Sequence, residues 1–389
     1  MVRDLPSYFH RFPLSLVKGK GSFVYDSEGN KYLYLTGGDG NLLLGHAPTP
    51  LLSAMHKQAK LLGQVALNQQ PVVKAFYHTL CELTGQENAL LLSSEAEAVD
   101  LALKLARMWG YTFKAVPEDK AEVLFVDECD HGNTLALISA STLPGPRERS
   151  GPFLPGVKHL PFGSVEAFEQ LITPHTCGIV VEPIQKSSGI RLPPKGWLKH
   201  LKQVCHKKDL LFIVDECRSG LGRAGAMTVC AAEQVKPDVL ILGGGLTGGL
   251  IPAACLAGKK ECLEQLVPGA FRSTFAENPI AAAVGQAMLA RLKAEKWADK
   301  SRKMGSYFLK ALESMQSPYV KEVHGMGLMI GLEIKPRKIL ASHVANALLD
   351  RGILVRDVHE TMLCLTPPLN ITRAQIDWAM KRIRDVLWD

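Results

Sequence analysis

Asp215 closes the apolar run Leu211-Phe212-Ile213-Val214, and the end of a buried strand is where an α/β sheet collects its ligands. An aspartate there is either a site carboxylate or a structural strand-end group. Ser94 stands at the start of a helical pattern running from Ala96 to Trp109. A serine at that place can cap the helix, and the exposed N–H groups of the first turn suit a phosphate, although capping needs no ligand. His131 and Glu182 follow other short apolar runs, where a lone histidine or glutamate is often only structural. Gly243-Gly244-Gly245 follow the run Val239-Leu240-Ile241-Leu242 and bring a flexible loop to the same edge, with neither nucleophile nor base.

Those groups need a frame, and the sequence supplies one. Val123–Val126, Gly178–Val181, Leu211–Val214 and Val239–Leu242 are runs too short and too apolar for surface helices, and suit strands of a mainly parallel sheet buried on both faces. Helical patterns lie between them, at Ala96–Trp109 and Trp197–Lys207. Repeated strand–helix alternation predicts a doubly wound α/β domain with its sites at the carboxyl ends of the strands. The two chain ends differ. Residues 22–36 predict a hairpin turning at Ser27–Asn30. After residue 290 the pattern predicts a helix over Ala290–Gln316, a strand over Gly327–Ile334, a helix over Ala341–Arg351, a strand over Ile353–Val355 and a last helix from Ala374 to Leu387. The two ends together would make a small α+β domain: residues 1–60 its N-terminal segment, 61–289 the large domain and 290–389 its C-terminal part.

Composition narrows the function classes. The 389 residues hold 45 Lys+Arg against 38 Asp+Glu, and this modest excess is spread in short pairs such as Lys207-Lys208, which argues against nucleic-acid binding. No stretch offers the roughly 20 uninterrupted apolar residues of a membrane span. The beginning, MVRDLPSYFHRFPL, lacks the basic-then-apolar pattern of a signal peptide. Nine cysteines stand singly, without a CxxC pair. That argues against a disulfide framework or a zinc site and for reduced thiols in the cytoplasm.

Several segments, in order, resemble the class III pyridoxal-phosphate aminotransferases, nearest to acetylornithine and ornithine aminotransferases. They are Phe12-Pro13-Leu14 with GKGSFVYDSEGNKYL, Leu44-Gly45-His46, SSEAEAVDLALKLAR (93–107), DHGNT (130–134), EPIQ (182–185), VDECRSGLGRAG (214–225), KPDVLILGGGLTGGLIPAACL (236–256), STFAENP (273–279) and LTPPLNIT (365–372). The resemblance implies the fold-type-I architecture and a dimer with sites at the subunit interface. It implies that Asp215 would pair with the cofactor's pyridinium nitrogen, that Ser94, Glu95 and Ala96 lie at the phosphate loop, and that Thr274 would reach the phosphate of the neighbouring subunit. His131 and Glu182 match further positions of the same site.

The departures bear on activity. Gly244 stands, without a gap, where the family's Schiff-base lysine would be, and the nearest downstream lysines, Lys259 and Lys260, lie beyond a strand predicted at Ile251–Leu256. Asp130 replaces the aromatic residue that stacks on the cofactor ring, and Glu95 replaces the glycine beside the phosphate. Arg218 replaces a glutamine and could pair with Glu95 or Asp130. Cys364 falls where the arginine that clamps the substrate carboxylate would stand, and a thiol is no bidentate donor. His324 replaces another arginine, and Ala276-Glu277 a pair of glycines.

The expectation is therefore an aminotransferase scaffold unable to perform lysine-dependent transamination: a pseudoenzyme, or a partner or regulatory subunit. Two alternatives stand beside it. One is an enzyme that binds pyridoxal phosphate or pyridoxamine phosphate non-covalently for lysine-independent chemistry. The other is a still-active amino-acid aminotransferase. The expected assembly is a homodimer, or a heterodimer with an active relative, in the cytoplasm, without metal, membrane or nucleic acid; a cofactor is either held non-covalently or absent.

Overall fold

The computed structural model describes residues 12–65 and 68–388. The first eleven residues, on which much of the signal-peptide reading rests, lie outside them.

The chain opens with an antiparallel meander, β1 (Leu16–Lys20), β2 (Phe23–Asp26) and β3 (Lys31–Tyr34). Asp26 fixes the turn at 27–30: its Oδ1 accepts the N–H groups of Glu28 at 3.0 Å and Asn30 at 2.8 Å. Two helices, α1 (Thr49–Ala59) and α2 (Pro71–Thr84), lead to the main sheet. That sheet contains β4 (Asn88–Leu92), β5 (Glu122–Val126), β6 (Val157–Leu160), β7 (Thr176–Val181), β8 (Leu211–Asp215), β9 (Val239–Leu242) and β10 (Ala254–Gly258) in the order β4-β10-β9-β8-β7-β5-β6. Strands β6, β5, β7, β8 and β9 are parallel, and β10 runs antiparallel to both neighbours.

Successive side chains of a strand face opposite sides, and here both sides are apolar and covered. Val123 and Phe125 of β5 pack with Ala98, Leu101 and Leu105 of α3 (Glu95–Phe113). Leu124 and Val126 pack on the other side with Trp197, Leu198 and Leu201 of α4 (Trp197–Lys207). This is the doubly wound sheet that the strand–helix alternation predicts.

The remaining chain forms helices α5 (Pro279–Ala294) and α6 (Trp297–Glu313), strands β11 (Val320–Met326) and β12 (Met329–Ile334), helix α7 (Ala341–Leu349), strands β13 (Ile353–Leu354), β14 (Arg356–Val358) and β15 (Met362–Leu365), and helix α8 (Arg373–Trp388). One four-stranded sheet has the order β11-β12-β15-β14, and β13 joins the N-terminal meander by pairing parallel to β3. The two chain ends thus share a sheet. Among the described residues no helix is long and apolar enough to cross a membrane.

Four sequence expectations are corrected. The single helix predicted over 290–316 is the end of α5 followed by α6, with Lys296 between them at φ 51°. Helix α5 starts at Asn278-Pro279, where Asn278 Oδ1 accepts the N–H groups of Ile280 and Ala281 at 2.9 and 3.0 Å. Its buried side and its outer side both carry alanines (Ala281 and Ala282 buried, Ala290 and Ala294 exposed), so it shows no amphipathic stripe to read. The strand predicted from Gly327 is the second arm of a hairpin, because Gly327, at φ 59°, is the turn. The strand predicted over Ile251–Leu256 begins only at Ala254, since Pro252 has no N–H for a ladder. The strand predicted over Ile353–Val355 ends at Leu354, and the chain passes directly into β14 of the other sheet.

Candidate functional site

The carboxyl ends of the parallel strands, with the start of β10, enclose a cavity of about 400 Å³. Strand β4 delivers Ser93, Ser94 and Glu95, and the loop after β5 delivers Asp130 and His131. Strand β7 delivers Glu182, β8 delivers Asp215, Cys217 and Arg218, and β9 delivers Gly244. Ala96 and Ala253 supply apolar wall. Thus nine of the residues singled out from the sequence meet in one place: Ser94, Glu95, Ala96, Asp130, His131, Glu182, Asp215, Arg218 and Gly244.

Asp215 and His131 form the floor. The imidazole Nδ1 lies 2.7 Å from Asp215 Oδ2, and the Cys217 N–H donates to Oδ1 at 3.0 Å. Burial alone would push the aspartate up and the histidine down; the hydrogen bond and opposite charge between them outweigh it, lowering Asp215 and raising His131. Glu182 is different. It is 3% exposed, its Oε2 has no hydrogen-bond partner, and burial, reinforced by Asp215 and Asp130, pushes its carboxyl up to about 8 against the opposing pull of His131 and Arg218.

Ser94 caps α3: its Oγ accepts the Glu97 N–H at 3.1 Å, while Glu97 Oε2 reaches back to the Ser93 N–H at 2.9 Å and hydroxyl at 2.6 Å. Glu95 turns into the cavity. Its Oε1 accepts the Gly244 N–H at 2.9 Å and its Oε2 meets Arg218 at 3.0 Å. Of the two partners expected for Arg218, the structure therefore selects Glu95. Asp130 instead accepts from Ser187 Oγ at 3.1 Å and the Gly132 N–H at 3.3 Å. The second partner of Arg218 is Asp39, at 3.6 Å, which also pairs with the buried Lys186. Asp39 and Lys186 carried no motif; their place in the site arises from loop packing that spacing does not encode.

Cys364 lies on β15, outside this cavity. It lines a neighbouring one of about 290 Å³ together with Lys186, Arg356 and Thr36, and shares Asp39 and Asp130 with the first. Burial pushes its thiol up to about 11. Thr274 is not in the cavity of its own chain; it lies on an exposed loop whose backbone carbonyl accepts from Gln64. Lys259 and Lys260 are spent on Asp238 and Glu264, away from the site.

Pyridoxal phosphate, which the sequence resemblance implies, needs an amine for its aldehyde, donors for its phosphate and a carboxylate for its ring nitrogen. Asp215 answers the last. No lysine lines the cavity among the described residues. The Gly244 amide and the Arg218 guanidinium, both natural phosphate donors, are taken by the Glu95 carboxylate. Of these three needs, the lining residues left unengaged meet only the one that Asp215 answers. Nor could any group of three His, Cys, Asp or Glu among the described residues hold a metal ion.

The class III aminotransferase family model matches residues 7–387. The ornithine aminotransferase of Geobacillus sp. (strain WCH70) is 39% identical over 381 residues, 97% of this chain and 94% of that one. That of Bacillus subtilis (strain 168) is 38% identical over 382 residues, 97% and 94% of the two chains. Among solved structures, the Toxoplasma gondii ornithine aminotransferase, described with partial occupancy of pyridoxal phosphate at its active site, superposes with a TM-score of 0.95 at 32% identity over 98% of this chain and 92% of that one. The acetylornithine aminotransferase of Elizabethkingia anophelis gives a TM-score of 0.88 at 29% identity over 98% and 95%. Sequence and fold agree over almost the whole length, and the chain belongs to the class III aminotransferases.

Proposed function

We propose that this chain keeps the scaffold of an ornithine/acetylornithine aminotransferase-like protein but does not perform lysine-dependent transamination, and serves as a pseudoenzyme or partner subunit. One observation carries the reading: the backbone amide of Gly244, at the end of β9, is held by the side chain of Glu95 in a cavity without a lysine among its described lining residues. In this reading Gly244 stands in place of the Schiff-base lysine, and Glu95 with Arg218 fills the phosphate's place. Transamination needs one amine both to hold the cofactor and to move a proton. Here no such amine faces Asp215, and His131, the base nearest to that carboxylate, is engaged as its ion partner.

The working form is a dimer, a homodimer or a pairing with an active relative. Leu61, Leu62 and Phe275 are exposed, and Gln64 ties their two segments together through Thr274. This apolar surface around the Thr274 loop is what a second subunit would cover. Nine unpaired cysteines suit a reducing compartment, and we place the protein in the cytoplasm.

The test is chemical trapping. The purified protein is incubated with pyridoxal phosphate, reduced with borohydride, digested and mapped by mass. We expect no lysine bearing a reduced pyridoxyl adduct in the segments that line the cavity; a stoichiometric adduct there, with visible aldimine absorption before reduction, would overturn the reading.

A further inference from the structure

We propose that Glu95, Arg218 and Gly244 form a matched unit in which the Glu95 carboxylate acts as a built-in anionic ligand. It is a plug that keeps external anions off Arg218 and the Gly244 amide, and once it is removed a small carboxylate takes its seat. The inference rests on the reading that no aldimine forms at Gly244, and deepens it by naming what closes that site.

Each of the three residues departs from the family pattern, and the fold brings them together across 149 positions of chain. Sites that simply decay leave their polar groups without partners. Here each departure supplies what another needs: Glu95 Oε1 accepts the Gly244 N–H at 2.9 Å, and Oε2 meets Arg218 at 3.0 Å. The seat also depends on Gly243. Its φ of −104° is open to any residue, but a Cβ there would lie 2.3 Å from Glu95 Oε1 and 2.8 Å from Cys217 Cβ. Only a glycine leaves the carboxylate its room.

Helix capping does not explain Glu95. Ser94 and Glu97 already close the start of α3 between them. A glutamate serving only the first turn would stay with its own helix. This side chain crosses instead to the loops after β9 and β8.

Charge explains why an external anion can replace it. Without Glu95, Arg218 keeps only Asp39, at 3.6 Å, and Asp39 already pairs with Lys186 and stands 3.8 Å from Arg356. Those cations would then share a single carboxylate. The other acids of the cavity are engaged or neutral. Asp215 is bonded to His131, Asp130 is held by Ser187 and the Gly132 amide, and burial pushes the Glu182 carboxyl up to about 8. The opened seat would present a guanidinium and a free backbone N–H side by side, donors that suit one carboxylate. Glu95→Ala removes a CH2–COO⁻ group, and acetate is a molecule of that size.

The experiment is chemical rescue. Purified parent protein, Glu95→Ala, Glu95→Gln and the double variant Glu95→Ala, Arg218→Met are titrated calorimetrically with sodium acetate and inorganic phosphate, with sodium chloride as control. Melting temperatures are measured in the same solutions. We expect the parent to bind neither acetate nor phosphate. Glu95→Ala should melt below the parent, bind acetate at least about tenfold more tightly than the parent does, and regain melting temperature as the seat fills. Adding Arg218→Met should abolish that gain. Glu95→Gln keeps the size and loses the charge; it should gain weaker acetate binding through Arg218, and it decides the question where the alanine variant does not fold. Absence of acetate binding from both Glu95 variants at millimolar concentration overturns the inference. So does a gain that chloride reproduces or that survives Arg218→Met, and so does a parent that binds acetate or phosphate as tightly as Glu95→Ala. Borohydride trapping on the parent separates the two readings. A lysine adduct sinks the functional reading together with this one, whereas no adduct and no acetate rescue sinks this one alone.

Discussion

Glu182 is the residue at which burial and charge conflict most, and its energetics can be followed by pH. Its carboxyl rises from an ordinary 4.5 to about 8 in the folded chain. Between those values the folded state holds a proton that the unfolded state has released. The stabilising contribution is thus fully present below about 4.5 and is lost as pH rises through 8, by at most about 1.4 kcal/mol per pH unit. Glu182→Gln should therefore be more stable than the parent at alkaline pH, with the gap closing towards pH 5. Urea unfolding across that range checks it, and a constant gap would mean that Glu182 is ionised throughout. Gly244 gives a second prediction. A Cβ at that position would lie 3.2 Å from Asn41 Cγ, and Glu95 would still hold the amide and Arg218. Gly244→Lys alone should leave ornithine transamination at least about a hundredfold below that of an ordinary family member, roughly 3 kcal/mol of barrier. Single-turnover absorbance with added pyridoxal phosphate measures it. Near-normal turnover would show that the lysine was the only missing part. At this scale the sequence revealed the residue types but only some of the partners. Arg218 could be paired with Glu95 or Asp130 on charge alone, whereas Asp39 and Lys186 entered through loop packing with no local signal.

Helix α3 shows what an element contributes to the site. Its start is fixed by a reciprocal pair, Ser94 Oγ accepting from the Glu97 N–H and Glu97 accepting from Ser93, with acidic residues in the first turn favoured by the helix dipole. Glu95 is the next residue along, and its Oε1 accepts the Gly244 N–H. Ser94→Ala should cost about 1 kcal/mol of stability. A calorimetric scan measures it, and an unchanged melting temperature would mean that the cap does not hold the start of α3. The element pattern explains why the main sheet was legible and the C-terminal helices less so. Strands β5, β7, β8 and β9 are apolar on both faces and bounded by polar or glycine residues, a pattern with one reading. Helix α5 carries alanine on its exposed side as well as its buried one, and its true start is marked only by Asn278-Pro279. The turn at Gly327 is visible as a glycine, but its role depends on the backbone of Arg223 and Ala224 packed against it, at 2.5 Å from where a Cβ would be.

The whole molecule depends on one buried cation that joins segments far apart in sequence. Arg223 is fully buried and follows the loop that delivers Asp215 and Arg218. Its guanidinium donates to the carbonyls of Gly40 at 3.0 Å, Leu328 at 3.3 Å and Pro367. Those carbonyls belong to the loop after the N-terminal meander, the turn between β11 and β12, and the segment after β15. One side chain thus fastens both chain ends to the large sheet, beside Asp39 and the cavity wall. A fork with several donors suits this role, and neither lysine nor an apolar residue can reproduce it. Arg223→Met should destabilise the protein by about 3–5 kcal/mol, because three buried carbonyls lose their donor together. Arg223→Lys should recover only part of that. The loss should be spatially selective. Amide exchange should rise together around Gly40, Leu328 and Pro367, while β7 and β8, covered on both faces, stay protected. Exchange rising only near one of the three, or uniformly through the sheet, would show that Arg223 is local packing and does not fasten the chain ends to the sheet.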